Sequence, residues 1–120
     1  MSRFLRWLYG LSSKSRRSRS TRIEVRRDAF VVLRDREVLV EVPFSRVARV
    51  SAFKRDLGTV DLICFEIEVK GNEPLEVNEE MAGFEDLIAR FTQDPKFDKH
   101  WRERVVKPAF ATNRTTILST

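Results

Sequence analysis

The stretch VDLICFEIEV, residues 60–69, decides the fold class, because its apolar residues recur every second position. Ile63, Phe65, Ile67 and Val69 fall on one side of an extended chain, and Leu62, Cys64, Glu66 and Glu68 on the other, which is the two-residue period of a β-strand. The first row is predicted to be core and the two glutamates to be wet. Toward the amino terminus the same period recurs in RVARVSAF (46–53), REVLVEV (36–42), AFVVLR (29–34) and IEV (23–25), and toward the carboxyl terminus in PLEV (74–77). Val38, Val40 and Val42 form a second predicted core row, with Leu39 opposite. Turn chemistry at Arg27–Asp28, Asp35–Arg36, Pro43 to Ser45, Leu57–Gly58 and Gly71–Asn72 separates these runs. Connections this short favour antiparallel neighbours, so about six strands are predicted to form a meander.

Beyond Asn78 the period changes. Phe84, Leu87, Ile88 and Phe91 recur at helical spacing in GFEDLIARF, an amphipathic helix expected to cover the sheet, with Asn78 as its cap and acids in its first turn opposing the helix dipole. Pro95 and Pro108 bracket FDKHWRERVV, a second short helix with Phe97, Trp101 and Val105 on one face. The segment AFATNRTTIL reads either as a returning edge strand or as a loop. An α+β domain over residues 22–120 follows, preceded by a segment, residues 1–21, of different character.

The 120 residues suffice for one domain with a real core, and the single cysteine, Cys64, excludes an internal disulfide and a cysteine-rich zinc site. The net charge of +5 is unevenly placed: residues 1–22 hold seven Lys or Arg and no acid, so residues 23–120 hold 16 against 18. Phe4, Trp7, Leu8 and Leu11 lie at i, i+3, i+4 and i+7, one stripe of a helix with Arg3 and Arg6 opposite, and Lys14, Arg16, Arg17, Arg19 and Arg22 follow in a Ser- and Arg-rich linker. Arg6 interrupts the apolar run that a secretory signal needs, and no run is long enough for a transmembrane helix.

That pattern is the one of an interfacial helix on an anionic membrane surface. Five cations at about 1 kcal/mol each supply roughly 5 kcal/mol at best. The same stripe can instead pack on the chain's own sheet. A nucleic-acid arm ranks third, because the remaining residues are mildly acidic and the strands lack an exposed aromatic pair for stacking bases. His100 is the only histidine, with no nucleophile or second ligand at motif spacing, and it reads as a surface residue; Cys64 reads as a core thiol. The acids Glu73, Glu76, Glu79, Glu80, Glu85 and Asp86 surround the strand-to-helix junction without metal-loop spacing, and the four glycines form no phosphate-binding loop. No catalytic residue, metal or cofactor is predicted.

The runs VEVPFSRVARV, FKRDLGTVDLICFEIEV, LEVNEEMAGFEDLIARF and PAFATNRT resemble the pleckstrin-homology-like (PH-like) superfold, in particular small uncharacterised bacterial proteins of that kind, over residues 22 to about 92. The resemblance implies a strongly bent antiparallel sheet or partial β-barrel closed by the helix, serving as a lipid- or protein-binding module. It also implies an anion site in the first hairpin, matched here by Arg26 and Arg27, with Lys54 and Arg55 as neighbours. The sequence departs from the pattern in the short first hairpin, in Asp28, and in having six strands before the helix where the family has seven. The expectation is a non-enzymatic module, peripheral at the inner face of a membrane in the cytoplasm. Its alternative is a soluble protein-binding module of immunity or adaptor type with an unidentified protein partner.

Overall fold

Two hairpin systems, not one continuous meander, organise the chain in a computed structural model that describes residues 21–106 and 114–120. In the first sheet β1 (Thr21–Val25), β2 (Ala29–Arg34) and β3 (Glu37–Pro43) lie in sequence order, all antiparallel. A 3-10 turn, Phe44–Arg46, then carries the chain to a second sheet. That sheet contains β4 (Val47–Asp56), β5 (Asp61–Val69), β6 (Leu75–Asn78) and β7 (Thr115–Ser119) in the order β6-β5-β4-β7. The expected meander breaks at Pro43, which has no N–H to donate and stands at φ −63° before the turn. The two sheets replace the expected single bent sheet, and the described residues form no closed barrel.

Residues 114–120 settle the alternative left open after Pro108: Thr115–Ser119 is a strand on the free edge of β4. Helix α1 spans Phe84–Thr92, and α2 spans only Trp101–Val106, shorter than the bracketing prolines suggested. No helix among the described residues is long and apolar enough to cross a membrane.

One apolar core joins both sheets and both helices. Phe30 and Val32 of β2, Val50 and Ala52 of β4, and Ile63, Phe65 and Ile67 of β5 meet Phe84, Leu87, Phe91, Trp101 and Val105. The Phe65 ring centre lies 4.8 Å from that of Phe84 and 5.0 Å from that of Trp101. Burying side chains of this size contributes about 1.5–3 kcal/mol each, which is why six-residue α2 can hold its shape. The β5 row is core as its alternation predicts, while Glu66 and Glu68 stay half-exposed and pair with Arg114 and Arg49.

Three local expectations fail. Val38 is 51 % exposed, because pairing passes from Val32↔Val40 to Leu33↔Val38 and leaves Leu39 as an extra residue. The bulge exchanges the faces of the strand, so that Leu39 packs against the core in place of Val38. Asn78 does not cap α1: its side-chain Oδ1 accepts the Glu80 N–H at 2.9 Å. The helix begins instead after Gly83, at φ +90° with no side-chain cap.

Connectivity gives the molecule two ends. The chain enters β1 at Thr21 beside Arg34, and the Arg22 guanidinium donates to the Asp35 carbonyl in the β2–β3 turn. The Ile23 N–H donates to the Ala82 carbonyl, and the Glu79 N–H to that of Ile63, just above the β4–β5 turn. The entry end therefore gathers the β2–β3 turn, the β4–β5 turn and residues 79–83. The opposite end holds the β1–β2 turn, the 3-10 turn and the β5–β6 turn, joined by Phe44 N–H to Asp28 and Lys70 N–H to Arg46.

Candidate functional site

The cations singled out in the sequence do not converge. Phe4, Trp7, Leu8, Leu11, Lys14, Arg16, Arg17 and Arg19 lie outside the described residues. Arg22, on β1, donates to the Glu24 carboxylate at 3.0 Å and to the Asp35 carbonyl at 3.1 Å. Arg26 reaches the other oxygen of Glu24 at 3.3 Å, and Arg27 is exposed in the β1–β2 turn. The hydrogen bonds from Arg22 and Arg26 hold the Glu24 carboxyl below its ordinary pKa, since they favour the charged form.

Lys54 and Arg55 stand near the other end, so they cannot extend an Arg26–Arg27 site as the resemblance implied. Lys54 shares the inner side of β4 with Val50 and Ala52, and its side chain is 2 % exposed. Its ammonium donates to the Val106 carbonyl at 2.6 Å and lies 3.3 Å from the Asp61 carboxylate. A cation at the carboxyl end of α2 also meets the negative end of its dipole. Arg55 is held by both oxygens of Glu76, at 3.0 and 2.7 Å. These charges are spent inside the fold.

The Arg55–Glu76 pair roofs a small apolar cluster of Phe53, Leu62 and Cys64 on the outer face of the second sheet. The guanidinium carbons of Arg55 and Arg114 sit 5.2 and 4.4 Å from the Phe53 ring centre, so two cations share one aromatic ring. Cys64 is fully buried there. Burial, together with the negative charge of Glu76, pushes its thiol well above the ordinary range, the opposite of what a nucleophile needs.

His100 is exposed in the turn before α2, where its backbone N–H donates to the Asp98 carboxylate at 3.0 Å. It borders an open groove of about 500 Å³ with Ile88, Trp101 and Val106. The acids at the strand-to-helix junction are dispersed: Glu76 binds Arg55, Glu79 accepts the Ile63 N–H at 2.7 Å, and Glu85 pairs with Arg102. Among the described residues no three His, Cys, Asp or Glu side chains gather as a metal site.

Two features escaped the sequence reading. A cavity of about 200 Å³ lies between the edge strand β3 and the β5–β6 turn, with an apolar part formed by Val40, Val42, Pro43, Val69, Pro74 and Leu75 and a polar part formed by Glu41, Arg46, Asn72 and Glu73. It needs the crossover at Pro43, which no local pattern reports. Leu57 and Val60, in the β4–β5 turn, are 43 % and 58 % exposed; the sequence marks a turn at Leu57–Gly58 but not which of its side chains remain uncovered. No protein-family model matches the chain, and neither curated proteins nor solved structures provide a significant match.

Proposed function

We propose that the chain is a non-enzymatic interaction module held at an anionic membrane surface by its basic amino-terminal segment. The observation that carries this reading is the charge division: seven cations and no acid in residues 1–22, with Phe4, Trp7, Leu8 and Leu11 on one helical stripe, ahead of residues that hold 16 cations against 18 acids. The internal commitment of Lys54 and Arg55 supports placing the anion contact in that segment and not on the β4 cations. The PH-like resemblance points to a binding role as well. Co-sedimentation of the full chain with phosphatidylcholine vesicles, with and without phosphatidylglycerol, tests it. Wild type is expected to bind only the anionic vesicles, and the variant Arg16→Ser/Arg17→Ser/Arg19→Ser to lose most of that binding; equal binding by both proteins removes the reading.

A second reading, a soluble protein-binding module, is favoured by the cavity beside edge strand β3. A partner strand adding to β3 could seat an apolar side chain there. Asn72→Trp, at an exposed residue on the cavity rim, is expected to abolish such a complex while leaving thermal stability and vesicle binding intact.

A further inference from the structure

The large apolar side chains left exposed among the described residues are Val38, Leu57, Val60 and Val106. Scattered singly they would call for no explanation. Two of the four share one turn, and connectivity relates the other two to the same end. Val38 lies in the row Arg22–Leu33–Val38 of the first sheet, at the β2–β3 turn. Leu57 and Val60 close the β4–β5 turn, the Leu57 N–H donating to the Val60 carbonyl at 2.9 Å. Val106 is tied to the base of that hairpin, since Lys54 contacts both its carbonyl and Asp61, and Asp61 pairs with Asp56. All four belong to the entry end, where the chain passes into β1 at Thr21.

We infer that the β4–β5 hairpin tip is a second membrane contact, in which Leu57 and Val60 enter the interfacial region of the same anionic bilayer that the amino-terminal segment binds. The inference rests on the membrane reading above. A narrow turn presenting two apolar side chains fits a soft interface, and a lipid surface is the occupant that also suits the seven cations of residues 1–22. Arg22, Arg34 and Arg36 offset Asp35, Glu37 and Asp56 at this end, so it carries little net charge of its own to attract anionic lipid. The division of labour is therefore electrostatic attraction by the tail and apolar insertion by the tip. Gly58, at φ +94° with open space around it, permits the tight turn that brings Leu57 and Val60 to one backbone hydrogen bond.

The test uses the full chain and vesicles containing phosphatidylglycerol. Leu57→Ser/Val60→Ser should keep wild-type thermal stability, because both side chains are exposed, and should bind roughly tenfold more weakly. Undiminished binding by this variant, with wild type bound, overturns the tip contact and leaves the tail reading standing; wild type failing to bind overturns both. A polarity-sensitive dye on Val60→Cys gives an independent readout, since buried Cys64 does not compete for the label. Its emission should shift to the blue on vesicles, and a bound protein with unshifted emission overturns insertion.

Discussion

The Lys54 ammonium donates to the Val106 carbonyl at 2.6 Å, joining the end of β4 to the last residue of α2 across 52 positions of sequence. A six-residue helix has little intrinsic stability, and this bond and the burial of Trp101 and Val105 fix it. Lys54→Met keeps the stem and removes the charge, leaving the Val106 carbonyl and the Asp61 carboxylate without that partner. A loss of about 2–3 kcal/mol is expected in urea denaturation, with faster amide exchange confined at first to α2. Adding Asp61→Asn should recover part of the loss; no recovery means the pair is not the cause.

Arg55 and Glu76 should behave as one unit. Glu76 has a 4 % exposed side chain and receives both guanidinium bonds, whereas Arg55 is 27 % exposed. Arg55→Met strands a buried carboxylate and should cost about 3 kcal/mol, while Arg55→Met with Glu76→Leu should be far milder. A double-mutant cycle checks this, and additive losses would refute the coupling.

Two glycines with similar φ should tolerate alanine very differently. Gly83 has φ +90° and an added Cβ collides with the Ile23 carbonyl, whose own N–H is bonded to Ala82, whereas Gly58 has φ +94° and nothing near. Gly58→Ala should cost about 1 kcal/mol for the backbone alone. Gly83→Ala should cost at least about 3 kcal/mol, because the loop must leave β1 to relieve the clash. Thermal melts of the two variants measure the difference.

Glu24 makes the acid limb of stability partly local. Its carboxyl is held low by Arg22 and Arg26, so its contribution is fully present above the ordinary carboxylate range and is lost as pH falls through the lowered native value. Carbon-detected titration should show Glu24 with a midpoint below the ordinary carboxylate value, and Arg22→Gln should move it upward. Because the group is exposed, the effect on overall stability is expected to be small.

Alternation and helical spacing are local properties, and they were legible wherever one residue alone decides its face. The row from Ile63 to Val69, the Phe84–Phe91 stripe and the turns between the early strands all follow from side chains that must leave water together. The charge division along the chain is equally a property of sequence. The partition into two sheets is not, because it depends on whether β3 and β4 pair after Pro43, which is settled by where the rest of the core lies. Nor is the fate of Val38, since a bulge of one residue inverts a face without altering the apolar pattern. Lys54 is the sharpest case. The PH-like resemblance implied an anion contact for it, but a lysine can be buried once a carbonyl and a carboxylate converge on it from distant segments, and only the packed chain brings Val106 and Asp61 there.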